Sequence, residues 1–185
     1  MSVEQHKGYA PANVDLRVAV ITASDSRTAA TDEGGRLVRS LAEQAGFQVT
    51  GAQLLREEPA IIRAAIASLL EGGGVDAVLI TGGTGLSGQD STVEAVAPLL
   101  GKMLPGFGEL FRMLSFAEIG AAAMLSRAFA GTAKAVVVFA MPGSPAGVRL
   151  AMERLIVPEL AHVVGQLRRE PEARHRHHQG HHHHG

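Results

Sequence analysis

Residues Val75–Ile80 form a short apolar run rich in β-branched side chains, and Thr81-Gly82-Gly83-Thr84-Gly85 follows directly. Such a run reads as a strand buried on both faces, which requires a sheet with helices packed on either side. Three glycines in five residues let the backbone take positive φ and approach a ligand closely. Asp90 lies five residues past Gly85, and Thr92 is placed to cap a helix running from Val93. Strand, glycine loop, carboxylate and helix start together predict an anion and metal site.

The same strand–loop–helix order recurs along the chain. Val18–Thr22 reads as a first strand, followed by the loop Ser24-Asp25-Ser26-Arg27 and a helix over roughly Asp32–Ala45. Leu37, Val38, Leu41 and Ala45 share one face of it, and Gly46 sits at its C′ position. Phe47–Leu55 alternates as a second strand. Pro59 opens the next helix, whose stripe is Ile61, Ile62, Ala65, Ile66, Leu69 and Leu70, with Gly72-Gly73-Gly74 at its end. Pro105–Ile119 is an amphipathic helix, and Ala121–Gly131 is assigned as a short helix.

Ala135–Ala140 is a further doubly buried strand, leading through Met141-Pro142-Gly143 to Ser144 as N-cap and Pro145 at the first helical position. Val148, Ala151, Leu155 and Ile156 form that helix's buried stripe, and Pro158 should kink or restart it. This order predicts a three-layer α/β/α sandwich with a mostly parallel sheet, whose ligands bind at the carboxyl ends of the strands. One domain, residues 15–168, is expected between an arm (1–14) and a His-rich tail (169–185). The tail reads as a tag or inert extension, because its histidines lack fixed ligand spacing.

Composition removes several function classes. The chain has 185 residues and no cysteine, so disulfides, thiolate metal sites and a cysteine nucleophile are excluded. The 17 basic and 18 acidic residues give a net charge of −1, without the basic excess that nucleic acid binding usually shows. One Tyr, six Phe and no Trp leave little for base stacking. No apolar run reaches the ~18 residues of a membrane span, and no secretory signal is visible near the start. A cytoplasmic protein is the default expectation.

Four loops should meet at one sheet edge: Ser24–Arg27, Arg56–Glu58, Thr81–Asp90 and Met141–Ser144. The glycine loop is neither a P-loop nor a GxGxxG motif. It either holds an anion on its N–H groups or is a plain tight turn. Asp90 either ligates a cation beside bound phosphate or simply charges the helix start. Glu57 is either a second ligand or, with Glu58, an acidic first turn. Asp25 is an Asx-turn residue or a ligand contact. Ser144 is a plain N-cap or an anion donor, and Ser126-Arg127 is a phosphate contact or a solvated pair. No serine carries GxSxG, so a hydrolase triad is rejected. Met103–Met113 with Phe107, Phe111 and Phe116 reads as core or subunit interface rather than a cofactor box.

TGGTGLSGQDSTVEAV at Thr81–Val96 resembles the TGGTG-x₄-D signature of the MoaB/MogA family of molybdenum cofactor biosynthesis proteins. PGFGELFRMLSFAEIG at Pro105–Gly120, LSRAFAG at Leu125–Gly131 and FAMPGSP at Phe139–Pro145 match its other blocks in order, closer to the MoaB branch. The resemblance covers about Val14–Leu167. It implies a molybdopterin-binding fold, a homotrimer or hexamer, and contacts with other proteins of the same biosynthesis. It also implies Mg²⁺-dependent transfer of AMP from ATP to molybdopterin, giving adenylyl-molybdopterin and pyrophosphate. The alternative is a molybdopterin-binding carrier or scaffold without catalysis. By position, Asp90 matches the metal-and-ATP aspartate. Thr81, Gly82, Gly83, Thr84 and Gly85 match the loop for pterin or nucleotide, and Pro142, Gly143 and Ser144 match the second ligand loop. Ser24, Asp25 and Ser126 are assigned to substrate binding with them. Glu57, taken as a second catalytic and metal residue, stands where the adenylyltransferases commonly carry Asp. Its added methylene moves the carboxylate by over ~1 Å.

Overall fold

A computed structural model describes residues 12–169 of the chain. Most of the expected arm and nearly all of the His-rich tail lie outside the described residues. The strands are β1 (Arg17–Ala23), β2 (Gln48–Leu55), β3 (Ala77–Thr81), β4 (Lys102–Met103), β5 (Phe129–Ala133) and β6 (Val136–Met141). They form one six-stranded sheet in the order β2-β1-β3-β6-β5-β4. The first four in that order run parallel, while β5 is antiparallel to both β6 and β4. The mostly parallel sheet expected from the buried apolar runs is thus present, with two short strands added at one edge.

The helices are α1 (Glu33–Gln44), α2 (Pro59–Glu71), α3 (Thr92–Val96), α4 (Pro105–Ile119), α5 (Pro145–Ala151) and α6 (Val157–Arg168). Alternation along the strands builds two cores. Val18, Val20, Leu79 and Phe139 face Val38, Phe107, Met152 and Leu160 on one side. Ala19, Ile21, Val78 and Ile80 face Ile62, Ile66 and Val96 on the other. Phe107 meets Phe139 edge-on, with ring centroids 5.1 Å apart, which seats α4 on β6. The expected α2 stripe is narrower than its sequence suggested: Ile62, Ile66 and Leu70 are buried, whereas Ile61 is exposed.

Two expectations need correction. Ala121–Gly131 is helical only in its first half. A 3-10 helix covers Gly120–Leu125, and Phe129 begins β5. Strand β5 turns into β6 through Lys134 and Ala135, both at positive φ (48° and 64°), a two-residue hairpin turn that suits the strand twist. Thr92 is not the cap of α3 but its first residue, with Ser91 at the cap position. Its hydroxyl donates instead to the Gly82 carbonyl, 2.9 Å away in a buried setting. Pro158 does restart the last helix: a π turn over Met152–Ile156 separates α5 from α6. The wider turn gives room to the proline ring and to the carbonyl that proline, lacking an N–H, leaves without its helical donor.

Candidate functional site

The four strand-end loops converge as expected, and the contacts between them are specific. The Ser24 N–H donates to the Leu55 carbonyl (2.9 Å), and the Glu57 N–H donates to Asp25 Oδ1 (3.0 Å). The Ser91 hydroxyl donates to the Glu57 carbonyl (3.1 Å), and the Thr81 hydroxyl donates to the Pro142 carbonyl (2.9 Å). Gly34 at the start of α1 approaches so closely that an added Cβ would lie 2.9 Å from the Gly143 carbonyl oxygen. Asp32 caps α1, accepting from the Gly35 N–H (2.9 Å) and the Thr22 hydroxyl (2.7 Å).

Gly82 and Gly83 have φ of 99° and 65°, the left-handed region that favours glycine. A Cβ on Gly83 would overlap Thr92 Oγ1 and sit 3.2 Å from Glu57 Oε1. A Cβ on Gly85 would sit 2.7 Å from Asp90 Oδ2. Glu57 and Asp90 therefore press on the same glycine loop, at Gly83 and Gly85. Their electrostatics differ. Burial would push the Asp90 carboxyl up, but hydrogen bonds from Ser87 and Gly85 and the nearby Arg127 guanidinium outweigh it and hold the group below its usual range. Burial raises the Glu57 carboxyl, and repulsion from Asp90 and then Asp25 raises it further.

Arg127 braces this loop. Its N–H donates to the Thr84 carbonyl (2.9 Å), its Nε to the Gly85 carbonyl (2.7 Å) and its Nη2 to the Asp90 carbonyl (3.2 Å). Its Nη1 pairs with the Glu94 carboxylate. Both readings offered for it from the sequence, phosphate contact and solvated pair, miss this role, whose signal lies 42 residues away at Gly85.

A cavity of about 330 Å³ opens beside the loop. Gly83, Thr84, Gly85 and Asp90 form one wall, and Pro142, Gly143 and Ser144 another. Ser126, Ile119 and Leu125 close a third side. Its size suits a small-molecule ligand with a few polar anchors on an apolar body. Ser144 Oγ accepts from the Gly147 N–H (3.2 Å), which leaves its hydroxyl proton to donate. Of the residues singled out from the sequence, Ser24, Asp25, Glu57, Thr81 and Gly82 do not line this cavity. Ser24 Oγ accepts from the N–H groups of Ser26 (3.3 Å) and Arg27 (3.2 Å), and so shapes its own loop.

No group of three or more Asp, Glu, His or Cys among the described residues is arranged to hold a metal ion. A magnesium ion needs only one or two carboxylates when phosphate oxygens complete its shell, so Asp90 and Glu57 suffice in number. Glu57 also fits in character, because a cation would relieve the repulsion that raises its carboxyl. No helix among the described residues is long and apolar enough to cross a membrane.

The family described as "Probable molybdopterin binding domain" matches residues 19–162. "Molybdenum cofactor biosynthesis protein B" of Bacillus subtilis is 48% identical over 172 residues, spanning 92% of this chain and 99% of that one. A crystal structure of molybdenum cofactor biosynthesis protein B superposes with a TM-score of 0.82 at 46% identity, over 86% of this chain and 100% of that one. The tungsten cofactor synthesizing protein MoaB from Pyrococcus furiosus superposes with a TM-score of 0.72 at 33% identity, over 83% and 98% of the two chains.

Proposed function

The chain belongs to the probable molybdopterin binding domain family of molybdenum cofactor biosynthesis, and from that premise we propose that it transfers AMP from ATP to molybdopterin. The observation that carries this reading is the placement of Asp90. It is held ionised on a glycine loop, at the wall of a cavity of suitable size, with Glu57 pressed against the same loop.

An oxygen of the molybdopterin terminal phosphate attacks the α-phosphorus of ATP in line. The new P–O bond forms as the bond to the β-phosphate bridging oxygen breaks, and pyrophosphate leaves. The attacking phosphate is already ionised at neutral pH, so no general base is needed. Both reactants are anionic, so alignment and charge compensation supply most of the rate. The N–H groups of Gly83–Gly85 and the Ser144 hydroxyl orient the anionic substrate. Asp90 and Glu57 would hold Mg²⁺, which would supply positive charge to the anionic reactants. Arg127 keeps the loop in place from behind. The reading also carries a homotrimer or hexamer in the cytoplasm, working beside other proteins of the same biosynthesis.

A second reading, a molybdopterin carrier without catalysis, is favoured by one observation: Glu57, the second carboxylate proposed for the metal, does not line the cavity that Asp90 borders. Pyrophosphate release with molybdopterin, ATP and Mg²⁺ tests the enzyme reading. Asp90→Asn should lower turnover by roughly 100-fold or more, the scale of losing one charge-stabilising group, and change molybdopterin affinity only a few-fold. An equal loss of both would mean that Asp90 only shapes the loop.

A further inference from the structure

Glu57 lies in the short link Arg56-Glu57-Glu58 between the end of β2 and Pro59 at the start of α2. Side chains from two other loops hold the peptide groups on either side of its Cα. Asp25, 32 residues away, accepts from the Glu57 N–H at 3.0 Å. Ser91, 34 residues away, donates its hydroxyl to the Glu57 carbonyl at 3.1 Å. With both flanking peptides held, the direction of the Glu57 Cα–Cβ bond is set, and its Oε1 comes against Gly83 of the glycine loop.

Ser91 is buried (9% exposed) and stands at the N-cap of α3, where a serine oxygen ordinarily accepts from an N–H of the first turn. It makes no such cap bond, and its hydroxyl serves Glu57 instead. Thr92 behaves alike, donating to the Gly82 carbonyl at 2.9 Å. Two adjacent hydroxyls at the head of α3 therefore fasten the loop after β2 and the loop after β3, and Asp90 immediately precedes them. The carboxylates gathered in this way repel one another: Asp90 and Asp25 add to burial in raising the Glu57 carboxyl. Arg56 reaches Asp25 (3.8 Å) and Glu58 (3.4 Å) from solvent and pairs with neither Glu57 nor Asp90. Like charges held together by a diverted capping hydroxyl suit a place that a cation completes.

We propose that Ser91, acting with Asp25, is a positioning residue that holds Glu57 against the glycine loop and fixes its spacing from Asp90 for a shared divalent cation. Groups that orient a metal ligand govern affinity nearly as strongly as the ligand itself. The presence of the cation rests on the AMP-transfer reading, whereas the hold on Glu57 rests on the hydrogen bonds alone.

Mn²⁺ serves as a paramagnetic probe in place of Mg²⁺. Its affinity for the full chain in the presence of ATP is read from the enhancement of water-proton relaxation, which needs no turnover. Because the Ser91 hydroxyl makes no cap bond, Ser91→Ala should fold as the parent does. It should bind Mn²⁺ about tenfold more weakly, the scale of losing a group that orients a metal ligand. Ser91→Thr, which keeps the hydroxyl, should stay within about threefold of the parent. In a Glu57→Gln background, Ser91→Ala should change the affinity by less than about twofold, since its effect runs through the Glu57 carboxylate. Parent-like affinity in Ser91→Ala, an equal loss in Ser91→Thr, or the full loss persisting in the Glu57→Gln background overturns the proposal. So does a parent that binds no Mn²⁺. Product formation from molybdopterin is assayed on the same samples. A parent that binds Mn²⁺ yet forms no adenylyl-molybdopterin means that the transfer reading has failed, and the relaxation series still decides the role of Ser91.

Discussion

Glu57 and Asp90 touch the same glycine loop yet are shifted in opposite directions. The folded state holds the Glu57 proton more tightly than the unfolded chain does. That contribution is present in full below the unfolded carboxyl pKa and is lost as pH rises through the raised folded one. At neutral pH the ionised Glu57 therefore costs stability. Glu57→Gln should stabilise the ligand-free protein at pH 7 by a few tenths to about 1 kcal/mol, the scale of a partly exposed charge pair. The gain should vanish near pH 4, as urea denaturation at the two pH values would show. A loss of stability at pH 7 would mean that Glu57 is already compensated. The closeness of Glu57 and Asp90 was legible in the sequence, because each follows a strand and parallel strands deliver their loops to one edge. Arg127 was not, because three carbonyls define its role and none of them is encoded in its neighbours.

At the scale of elements, the glycine loop works because its backbone lies where side chains cannot. Gly83→Ala would combine a φ of 65° with overlap of Thr92 Oγ1. It should cost about 1–3 kcal/mol, and cavity binding should fall with it. Gly51→Ala in β2 meets nothing within 4 Å, so it should be neutral or slightly stabilising. Thermal melts of the two variants make the comparison, and equal destabilisation would mean that the loop relaxes freely. Strands β3 and β6 were legible as unbroken apolar runs. Strand β5 was not. Phe129-Ala130-Gly131-Thr132-Ala133 has small side chains because β4 crosses it closely: a Cβ on Gly131 would lie 2.7 Å from the Lys102 carbonyl oxygen. Its turn, Lys134-Ala135, carries none of the Asn-Gly chemistry that marks a hairpin.

Across the whole molecule the sheet separates function from anchorage. The site occupies the carboxyl edge. At the opposite edge Asp76 joins β1, β3 and α6: it accepts from the Arg17 N–H (2.9 Å), Arg17 Nη2 (3.3 Å) and Arg168 Nη2 (2.9 Å). Burial would raise this carboxyl, but the two guanidiniums and the N–H outweigh it and hold it below its usual range. Its contribution is therefore present above the unfolded pKa and lost as pH falls through the lowered folded one. Asp76→Asn should cost about 1–3 kcal/mol at pH 7 and progressively less in acid, with no change in ligand affinity. Altered affinity would show that the two edges communicate.

The sheet's layout was readable from alternating strands and helices, whereas which apolar residues of α4 stay exposed was not, since Phe111 (1% exposed) and Phe116 (62%) look alike in sequence. The central claim is the chemistry at Asp90. Its most direct measurement is mass spectrometry of the pterin recovered after anaerobic incubation of the protein with molybdopterin, ATP and Mg²⁺. Adenylyl-molybdopterin with equimolar pyrophosphate, absent in Asp90→Asn, is the predicted result. Molybdopterin recovered bound but unmodified would contradict it.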